Sequence, residues 1–346
     1  MTNLEELIQM ASELSDEDVD LLLQQVRNMT SSAKLKEEPQ SAQQKRIRNK
    51  AGNPPCIYCH SSNVVKDGKS HKKQRYWCKN CNKTFVPTSK TVMQKSHYDR
   101  SIWEDVIEDT FNGMSIDFTA DNLGLHHETV FIMRHKILMA IQKLGDQDPI
   151  ILGNITELDE AYVLKNNKGT KFNADSQRKP RKRGSKASKR GLSNEQICIC
   201  TGVERKGVAY ATTVHRAKPS NLEIQEAFGD HIDEGTVCFA DGLKGYKSLE
   251  ESNDCIVECV SVEEMKQTKT ANLNNVNSFH SFIKSRYEDY RGVASKYINR
   301  YNQLFAKGFR NRKETIQRVS DILFNDQNND RSATESDIKE WRLTPV

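Results

Sequence analysis

The segment Ile155-Thr156-Glu157-Leu158-Asp159 ends a strand-like run on a carboxylate, and Thr236-Val237-Cys238-Phe239-Ala240-Asp241 ends a second run in the same way. Apolar, β-branched runs of this length predict two strands that deliver carboxylates from the middle or the edge of a buried sheet. Such carboxylates suit Mg²⁺, which proteins usually bind through one or two carboxylates, waters and substrate phosphates. Paired ions there can stabilise both the attacking and the leaving oxygen of an in-line displacement. The two segments therefore predict a metal-dependent phosphoryl-transfer site.

A simpler interpretation is that each aspartate only opens a turn, because an Asp-Gly pair such as Asp241-Gly242 is a common turn dipeptide. Downstream, the segment from Asn274 to Lys284 supplies further polar groups at helical spacing. The other motifs of the chain bear on which interpretation is right.

Four cysteines near the start of the chain form two C-x-x-C pairs, Cys56 with Cys59 and Cys78 with Cys81. This spacing predicts one structural Zn²⁺, held by four thiolates, that closes a domain too small for its own core. The alternatives are unrelated thiol pairs or a redox motif, but redox C-x-x-C motifs come singly. Basic side chains surround the cysteines, and three of them are expected to contact DNA: Lys72, Lys73 and Arg75. A small basic zinc ribbon is typical of nucleic-acid-binding modules.

The 346-residue chain carries a formal net charge of +5, and its length suffices for two or three domains. The positive charge is concentrated in a segment without acids, at Arg178, Lys179, Arg181, Lys182, Arg183, Lys186, Lys189 and Arg190. A run of this kind is commonly a solvated linker. Its position between a carboxylate-bearing strand and the next strand favours a loop that contacts DNA phosphates.

The remaining five of the nine cysteines lie in apolar, strand-like runs and predict buried free thiols in a reducing compartment, although Cys255 and Cys259 could reach one another. The sequence has no run of about 18 apolar residues and no apolar signal-peptide core. We therefore expect a cytoplasmic, DNA-associated protein with no membrane partner.

The sequence predicts a multidomain chain. We expect a helical hairpin in residues 1–30, a linker in 31–53, a zinc β-ribbon in 54–88, a helix-turn-helix-like DNA-binding region in 98–146, an α/β RNase H-like catalytic domain in 150–325 with a basic insertion at 171–191, and a C-terminal tail in 326–346. A further linker is expected from Thr88 to Lys95.

The region 98–146 shows apolar periodicity interrupted by Gly113 and Gly124, which are typical helix ends. In a helix-turn-helix the last helix enters the major groove, so Arg134 is expected to contact DNA. Any three-helix connector would show the same periodicity.

The catalytic domain is predicted from the order of its elements. Two runs, Ile197 to Val203 and Val208 to Val214, predict strands that form an antiparallel meander with the Asp159 strand, and residues 219–230 predict a helix before the Asp241 strand. This order is that of the RNase H-like fold, in which carboxylates on adjacent strands share metal ions.

These motifs together resemble an insertion-sequence DDE transposase of the zinc-ribbon, ISXO-two-like family. The resemblance runs from about residue 54 to 310 and rests on the ribbon and on four segments: Leu158 to Val163, Asp241 to Tyr246, Val276 to Lys284 and Arg291 to Tyr297. It implies a bacterial enzyme that binds the terminal inverted repeats of its element and catalyses divalent-metal-dependent cleavage and strand transfer into target DNA. Because two ends must be held together, it also implies a homodimer or larger assembly on double-stranded DNA.

The resemblance further implies that Asp159, Asp241 and a third residue hold Mg²⁺ or Mn²⁺, as two ions. The third position falls on Asn277, where many relatives carry Glu, and Lys284 is expected to hold a DNA phosphate on the same helical face. An Asn keeps a carbonyl oxygen but brings no charge and cannot act as a base. Three other residues are the alternatives for the third ligand: His280, Glu288 and Asp289.

Two other functions remain open at this point. One is an RNase H-like nuclease or resolvase without strand transfer, which the absence of terminal inverted repeats around the gene would favour. The other is a non-catalytic DNA-binding protein derived from a transposase, suggested by Asn277 and excluded by metal-dependent nicking. The helix from Tyr297 to Phe305 and the N-terminal hairpin are either assembly interfaces or core faces.

Overall fold

The computed structural model describes residues 52–70, 73–94, 96–168, 187–188, 190–242, 244–261 and 272–325. The predicted N-terminal hairpin, nearly all of the first linker, most of the basic insertion and the C-terminal tail lie outside these residues. The chain divides into two compact units, the first ending at Phe85 and the second beginning at Val86.

The first unit contains a three-stranded antiparallel sheet made of β1 (Val64–Ser70), β2 (Lys73–Cys78) and β3 (Thr84–Phe85), in that order. The pairing of β1 with β2 is shifted between Lys66 and Lys69. Among the described residues of this unit, five form a buried core cluster: Cys56, Ile57, Val64, Cys78 and Phe85. So small a core is insufficient to hold a domain together without another constraint.

The second unit begins with three helices, α1 (Arg100–Asn112), α2 (Ile116–Leu123) and α3 (His127–Gln147). The first two end at Gly113 and Gly124, whose φ angles of 85° and 63° suit glycine. Ser115 begins α2 by accepting the N–H of Phe118 at 3.1 Å. The helices and both glycine ends agree with the prediction for this region.

A five-stranded sheet follows, with β4 (Ile155–Leu164), β5 (Gln196–Glu204), β6 (Ala209–Arg216), β7 (Val237–Ala240) and β8 (Ile256–Cys259) in the order β6-β5-β4-β7-β8. Strands β4, β5 and β6 are antiparallel, whereas β7 is parallel to β4 and β8 is parallel to β7. The predicted meander, and the predicted helix before the fourth strand, are confirmed. That helix is α4 (Asn221–Phe228).

The remaining helices complete two layers around the sheet. A 3₁₀ turn (Lys244–Ser248) and α5 (Leu249–Asn253) connect β7 to β8, and α6 (Asn274–Asp289) is followed by a 3₁₀ turn (Ser295–Tyr297) and α7 (Ile298–Phe324). Helix α7 has a kink with non-helical backbone angles at Asn311.

Alternate residues of each strand face opposite layers. Ala161, Ile197 and Ile199 pack into a core shared with α1, α3, α6 and α7. Leu158 and Cys198 pack into a second core shared with α4 and α5. Because side chains alternate along a strand, β4 directs Glu157 and Asp159 to the first layer and Glu160 to the second.

Two expectations are wrong, and for a third segment one of the two predicted alternatives is confirmed. The expected linker from Thr88 to Lys95 contains Val92, which is buried and donates its backbone N–H to Leu323 at 3.2 Å. The helix from Tyr297 to Phe305 was predicted to be either an assembly interface or a core face, and the core face is confirmed because its apolar residues are buried in the first core. Cys259 is exposed, and the thiol near Cys255 is that of Cys238.

In the part of the chain that the structure describes, no helix is both long enough and apolar enough to span a membrane.

Candidate active site and zinc site

Strand pairing places the two predicted aspartates side by side. The parallel ladder of β4 and β7 ends with Leu158 opposite Ala240, so the next residues, Asp159 and Asp241, lie at the same level. Asp159 sits within a ten-residue strand, and the interpretation of this residue as a turn opener is therefore wrong. Asp241 follows the last residue of β7. The sheet thus delivers both carboxylates to one point, as predicted.

A third carboxylate, that of Glu160, joins them. Ligand atoms of Asp159, Glu160 and Asp241 all lie within 4.8 Å of one another, and we call these three residues the acidic cluster. Glu160 was not predicted from the sequence, because neighbouring strand residues point to opposite faces and were not expected to meet at one site. The adjacent Asp-Glu pair was the available signal.

Burial disfavours ionisation of two members of the acidic cluster, Asp159 and Glu160. It raises the pKa of Asp159 to about 6, and Asp241 adds repulsion, while the backbone N–H of Glu160 and the charge of Lys284 lower the pKa. Burial also raises the pKa of Glu160 to about 7, although the Tyr246 hydroxyl has the opposite effect and lowers this pKa. Atom Oε1 of Glu160 is buried without a hydrogen-bond partner among the described residues. Three crowded carboxylates and an unused oxygen fit a bound divalent cation.

His280 completes this site from helix α6. Its Nδ1 lies 3.7 Å from Oδ2 of Asp159, and its Nε2 lies 2.7 Å from Oγ1 of Thr201. Thr201, opposite Asp159 on β5, donates its hydroxyl to the backbone oxygen of Asp159 at 2.7 Å. The hydroxyl oxygen is therefore left to accept a hydrogen bond from Nε2–H, and in the neutral ring this assignment leaves Nδ1 unprotonated.

His280 is also held in its neutral form. Burial lowers its pKa to about 4, and the charge of Lys284 contributes. Two acceptors, Nδ1 and a carboxylate oxygen, consequently face each other without a proton between them. A cation between the two groups would satisfy both.

The predicted third ligand, Asn277, is exposed on α6 one turn before His280. Its direct role in metal binding stays a prediction. Lys284 is also exposed, and its charge acts on both Asp159 and His280, which supports its predicted place beside the metal site. Glu288 and Asp289 are exposed near the end of the same helix and, among the described residues, are not part of the acidic cluster.

Glu157 fixes the helix that carries His280. Its fully buried carboxylate accepts the backbone N–H groups of Asn275 at 2.7 Å and Val276 at 3.1 Å. The residue that begins α6, Leu273, has no side-chain acceptor for these N–H groups, so a carboxylate on β4 accepts them instead. Arg205 neutralises the carboxylate, with 2.9 Å between Nε and Oε1. The strand that carries Asp159 is thereby bonded directly to the helix that carries His280.

The two C-x-x-C pairs meet in the first unit as predicted. Their four Sγ atoms lie within 4.8 Å of one another, with 3.6 Å between Cys56 and Cys81 and 3.6 Å between Cys59 and Cys78. A tetrahedral zinc with Zn–S bonds of about 2.3 Å separates its sulfurs by about 3.8 Å, so this set fits zinc.

The two cysteine turns have matching backbone geometry. Each second cysteine is followed by a residue with positive φ, His60 at 57° and Asn82 at 55°. The pKa of the Cys78 thiol is lowered to about 7, mainly because the backbone N–H of Cys81 donates to its sulfur. Such donation stabilises the thiolate form, which is the form that binds metal.

The predicted DNA contacts have different outcomes. Arg134 is only 1% exposed, and the prediction that it contacts DNA from the surface of α3 is wrong, because α3 packs this face into the first core. Lys73, Arg75 and Arg190 are exposed, and Arg75 pairs with Asp67 at 2.9 Å. The remaining predicted contacts lie outside the described residues: Lys72, Arg178, Lys179, Arg181, Lys182, Arg183, Lys186 and Lys189.

Comparison with known proteins gives a consistent set of relatives. The model of the ISXO2-like transposase domain matches residues 151–310. A protein of Halobacterium salinarum, described as an uncharacterized protein in transposable element ISH50, is 23% identical over 252 residues, which are 72% of this chain and 83% of that protein.

Two solved structures show weaker similarity. A pre-cleavage Mos1 transpososome is 8% identical, with coverage of 66% of this chain and 80% of that chain and a TM-score of 0.26. A mariner Mos1 paired end complex with Mg is 13% identical, with coverage of 67% and 79% and a TM-score of 0.28. The family match is the more informative comparison, because residues 151–310 include all five strands of the large sheet, the acidic cluster and His280.

Proposed function

Since this chain belongs, through residues 151–310, to the ISXO2-like transposase domain family, we propose that it is the transposase of an insertion sequence. In this proposal, it binds double-stranded DNA at the element ends, cleaves it with Mg²⁺ or Mn²⁺ and joins the ends to target DNA. Transposition requires two ends held together, so the active form contains at least two copies of the chain.

One observation carries the proposal. The acidic cluster lies within 4.8 Å, where β4 and the end of β7 meet, and His280 faces Asp159 from α6. The sheet order, with three antiparallel strands followed by two parallel ones, supports an RNase H-like catalytic domain. All three side chains of the acidic cluster are partly exposed, as contact with a DNA strand requires.

The residues have distinct roles in this mechanism. Asp159, Asp241, Glu160 and Nδ1 of His280 would hold the metal, which supplies Lewis-acid stabilisation of the scissile phosphate and lowers the pKa of bound water. Thr201 holds the His280 ring in the tautomer that leaves Nδ1 free. Lys284 is exposed beside the site and attracts a DNA phosphate. Asn277 is one turn away and is proposed to orient substrate or water rather than to supply the third charge.

A cleavage assay tests the proposal. The purified chain is incubated with a plasmid that carries its gene and the flanking DNA, with Mg²⁺, with Mn²⁺ or with neither ion added, and the DNA ends are mapped. We expect metal-dependent cuts at fixed positions on both sides of the gene, followed by joined products. Each of the variants Asp159→Asn and Asp241→Asn should lose more than about 100-fold in cleavage rate, which is the loss typical of changing a residue that only supports a metal ligand. Both variants should still bind the same DNA.

Three outcomes would contradict parts of the proposal. Cleavage without joined products would indicate a nuclease or resolvase. DNA binding without any cleavage by the native chain would indicate a non-catalytic DNA-binding protein. Near-native activity of either aspartate variant would place the active site elsewhere.

A further inference from the structure

A cavity of about 290 Å³ lies between helices α2 and α3 and the segment from Tyr290 to Tyr301. None of its lining residues belongs to the acidic cluster. Its buried wall consists mainly of aromatic rings with one arginine: Arg134, His135, Tyr290, Tyr297 and Tyr301. Its volume is close to the lower end of the range for small-ligand sites, about 300 Å³.

Arg134 places a positive charge in this wall. The side chain is 1% exposed, and its guanidinium carbon lies 5.2 Å from the centre of the Tyr290 ring. Atoms Nε and Nη2 have no hydrogen-bond partner among the described residues. Both atoms are closed off from solvent, so the group acts on the cavity through its charge. Among the residues that the structure describes, no carboxylate forms an ion pair with Arg134. Burying an unpaired cation is costly, and an anion in the cavity would offset that cost.

The rim of the cavity carries further charge. Three cations line it, Lys168, Arg291 and Lys296, together with His127. Two acids, Asp117 and Glu128, line it as well, and Asp117 lies 3.4 Å from His127. Including Arg134, the fixed cations outnumber the acids, which favours an anionic occupant.

The rings in the wall favour an occupant with a flat aromatic part. His135 is packed between Phe131 and Tyr297, with ring centroids 4.3 Å and 4.4 Å away, and Phe131 is the partly exposed ring of this group. Nζ of Lys296 lies 5.3 Å from the centroid of Tyr297. Rings of this kind bind nucleobases by stacking, and this binding tolerates any base because every base has a π-face.

The rim is held in place by the backbone. Asn166, just beyond β4, accepts the N–H of Ser295 at 2.8 Å and donates its own N–H to Oγ of Ser295 at 2.7 Å. Arg291 adopts a φ of 54°, which is uncommon for a residue with a side chain, and Gly292 follows with 96°. The cavity is therefore bordered by a fixed loop, as expected for a preformed site.

We propose that this cavity binds one unpaired nucleotide of a DNA strand, with the base on the aromatic wall and the phosphate near Arg134 and Lys296. The inference rests on the proposed function only in taking DNA as the source of the nucleotide. Extrahelical bases bind to other DNA-processing proteins in similar small pockets, by stacking and by contacts to the backbone.

The experiment measures binding without added Mg²⁺ or Mn²⁺ and without chelator, so that catalysis plays no part and the zinc of the ribbon is kept. The full chain is titrated with three duplexes of one sequence: a fully paired duplex, a duplex with a single 2-aminopurine bulge, and a duplex with an abasic bulge at the same place. We expect about tenfold tighter binding of the 2-aminopurine bulge than of the other two, with fluorescence quenched on binding because the base stacks.

Two rim variants and one matched control complete the test. Val293→Trp fills the cavity and Lys296→Gln removes a rim charge, and both should abolish the preference while leaving the affinity for paired duplex within about twofold. Lys206→Gln removes an exposed lysine on the β5–β6 turn that does not line the cavity, and it should keep the preference.

The outcomes separate this inference from the proposed function. Equal binding of all three duplexes by the native chain, or a preference that survives in both rim variants, overturns the inference and leaves the transposase proposal standing. If the abasic bulge binds as tightly as the 2-aminopurine bulge, the base does not contribute to binding, which contradicts the inference. Failure to bind any duplex contradicts the proposed function itself.

Discussion

At the scale of single residues, His280 shows how a hydrogen bond can select a metal ligand atom. Thr201 binds Nε2, which leaves the lone pair of Nδ1 facing Asp159. His280→Ala should therefore lose most of the cleavage activity. His280→Glu should keep part of it and use Mg²⁺ better relative to Mn²⁺, because carboxylate oxygen is a harder ligand than imidazole nitrogen. The measurement is the rate of plasmid cleavage with each metal.

Asn277→Ala is the matched variant on the same helix. It removes a polar side chain one turn from His280 without touching Nδ1, and we expect a smaller loss of activity and an unchanged metal preference. If Asn277→Ala abolished cleavage while His280→Ala retained it, the third ligand would be Asn277, as the sequence first suggested.

The raised pKa values of Asp159, about 6, and Glu160, about 7, predict a pH-dependent affinity for metal. At pH 5.5 both carboxyls are largely protonated in the metal-free protein, so a cation must displace protons. Affinity for Mn²⁺ should rise through pH 6 to 7 and level off above about pH 8. His280 contributes little, since its pKa of about 4 leaves it neutral throughout.

Calorimetry in two buffers of different ionisation enthalpy checks this prediction, because it counts the protons released. Release should be larger at pH 6.5 than at pH 8, and smaller in Glu160→Gln. The raised pKa values of Asp159 and Glu160 also affect the stability of the metal-free fold. Both groups stabilise the fold at low pH, and this contribution is lost as the pH rises through 6 and 7. A metal affinity that does not change with pH would contradict the assignment of these groups.

At the scale of elements, the bond between β4 and α6 predicts that Glu157 controls both stability and the metal site. Glu157→Gln keeps the shape but leaves the Arg205 charge without its partner. Breaking a buried ion pair in this way should cost about 3 kcal/mol, the lower end of the usual range, because Arg205 retains 20% side-chain exposure. Urea unfolding measures this cost, and Mn²⁺ titration measures the accompanying loss of affinity.

An exposed pair provides the control. Arg100 and Glu104 form a 2.8 Å ion pair on α1 with side-chain exposures of 52% and 49%. Glu104→Gln should cost less than about 1 kcal/mol and should leave metal affinity unchanged. Equal effects of the two substitutions would show that Glu157 does not position α6.

The same elements show what sequence patterns can predict. Alternation and β-branching predicted the strands that carry Asp159 and Asp241, because these signals are local. The face of α6 that meets Asp159 depends on the bond from Glu157, which lies far away in sequence. Sequence patterns therefore could not decide whether Asn277 or His280 is the third metal ligand. Arg134 is a similar case: the helix-turn-helix pattern predicted a DNA-facing position, whereas the packing of α3 buries this side chain.

At the scale of the whole molecule, the small core of the first unit predicts that zinc holds this unit folded independently of the second. One zinc should be found per chain by elemental analysis. Chelation should increase hydrogen exchange within residues 54–85 and leave the large sheet protected. Cys59→Ser should have the same effect, whereas Cys259→Ser, at an exposed cysteine outside the ribbon, should retain zinc. Native protein without zinc, purified free of chelators, would refute the assignment.

The basic segment from Arg178 to Arg190 predicts the salt dependence of DNA binding by the whole chain. Its eight cations would bind phosphates and release counterions, so replacing them with Gln should lower the slope of log affinity against log salt by about 0.9 for each phosphate that is no longer neutralised. The preferred DNA sequence should not change, because binding to phosphates carries no direct sequence information. Gln substitutions at Lys206 and Lys313, exposed lysines outside the segment, serve as the control and should leave the slope nearly unchanged. An unchanged slope in the segment variant would show that the segment is only a spacer. A changed sequence preference would show that some of these side chains bind base edges as well as phosphates.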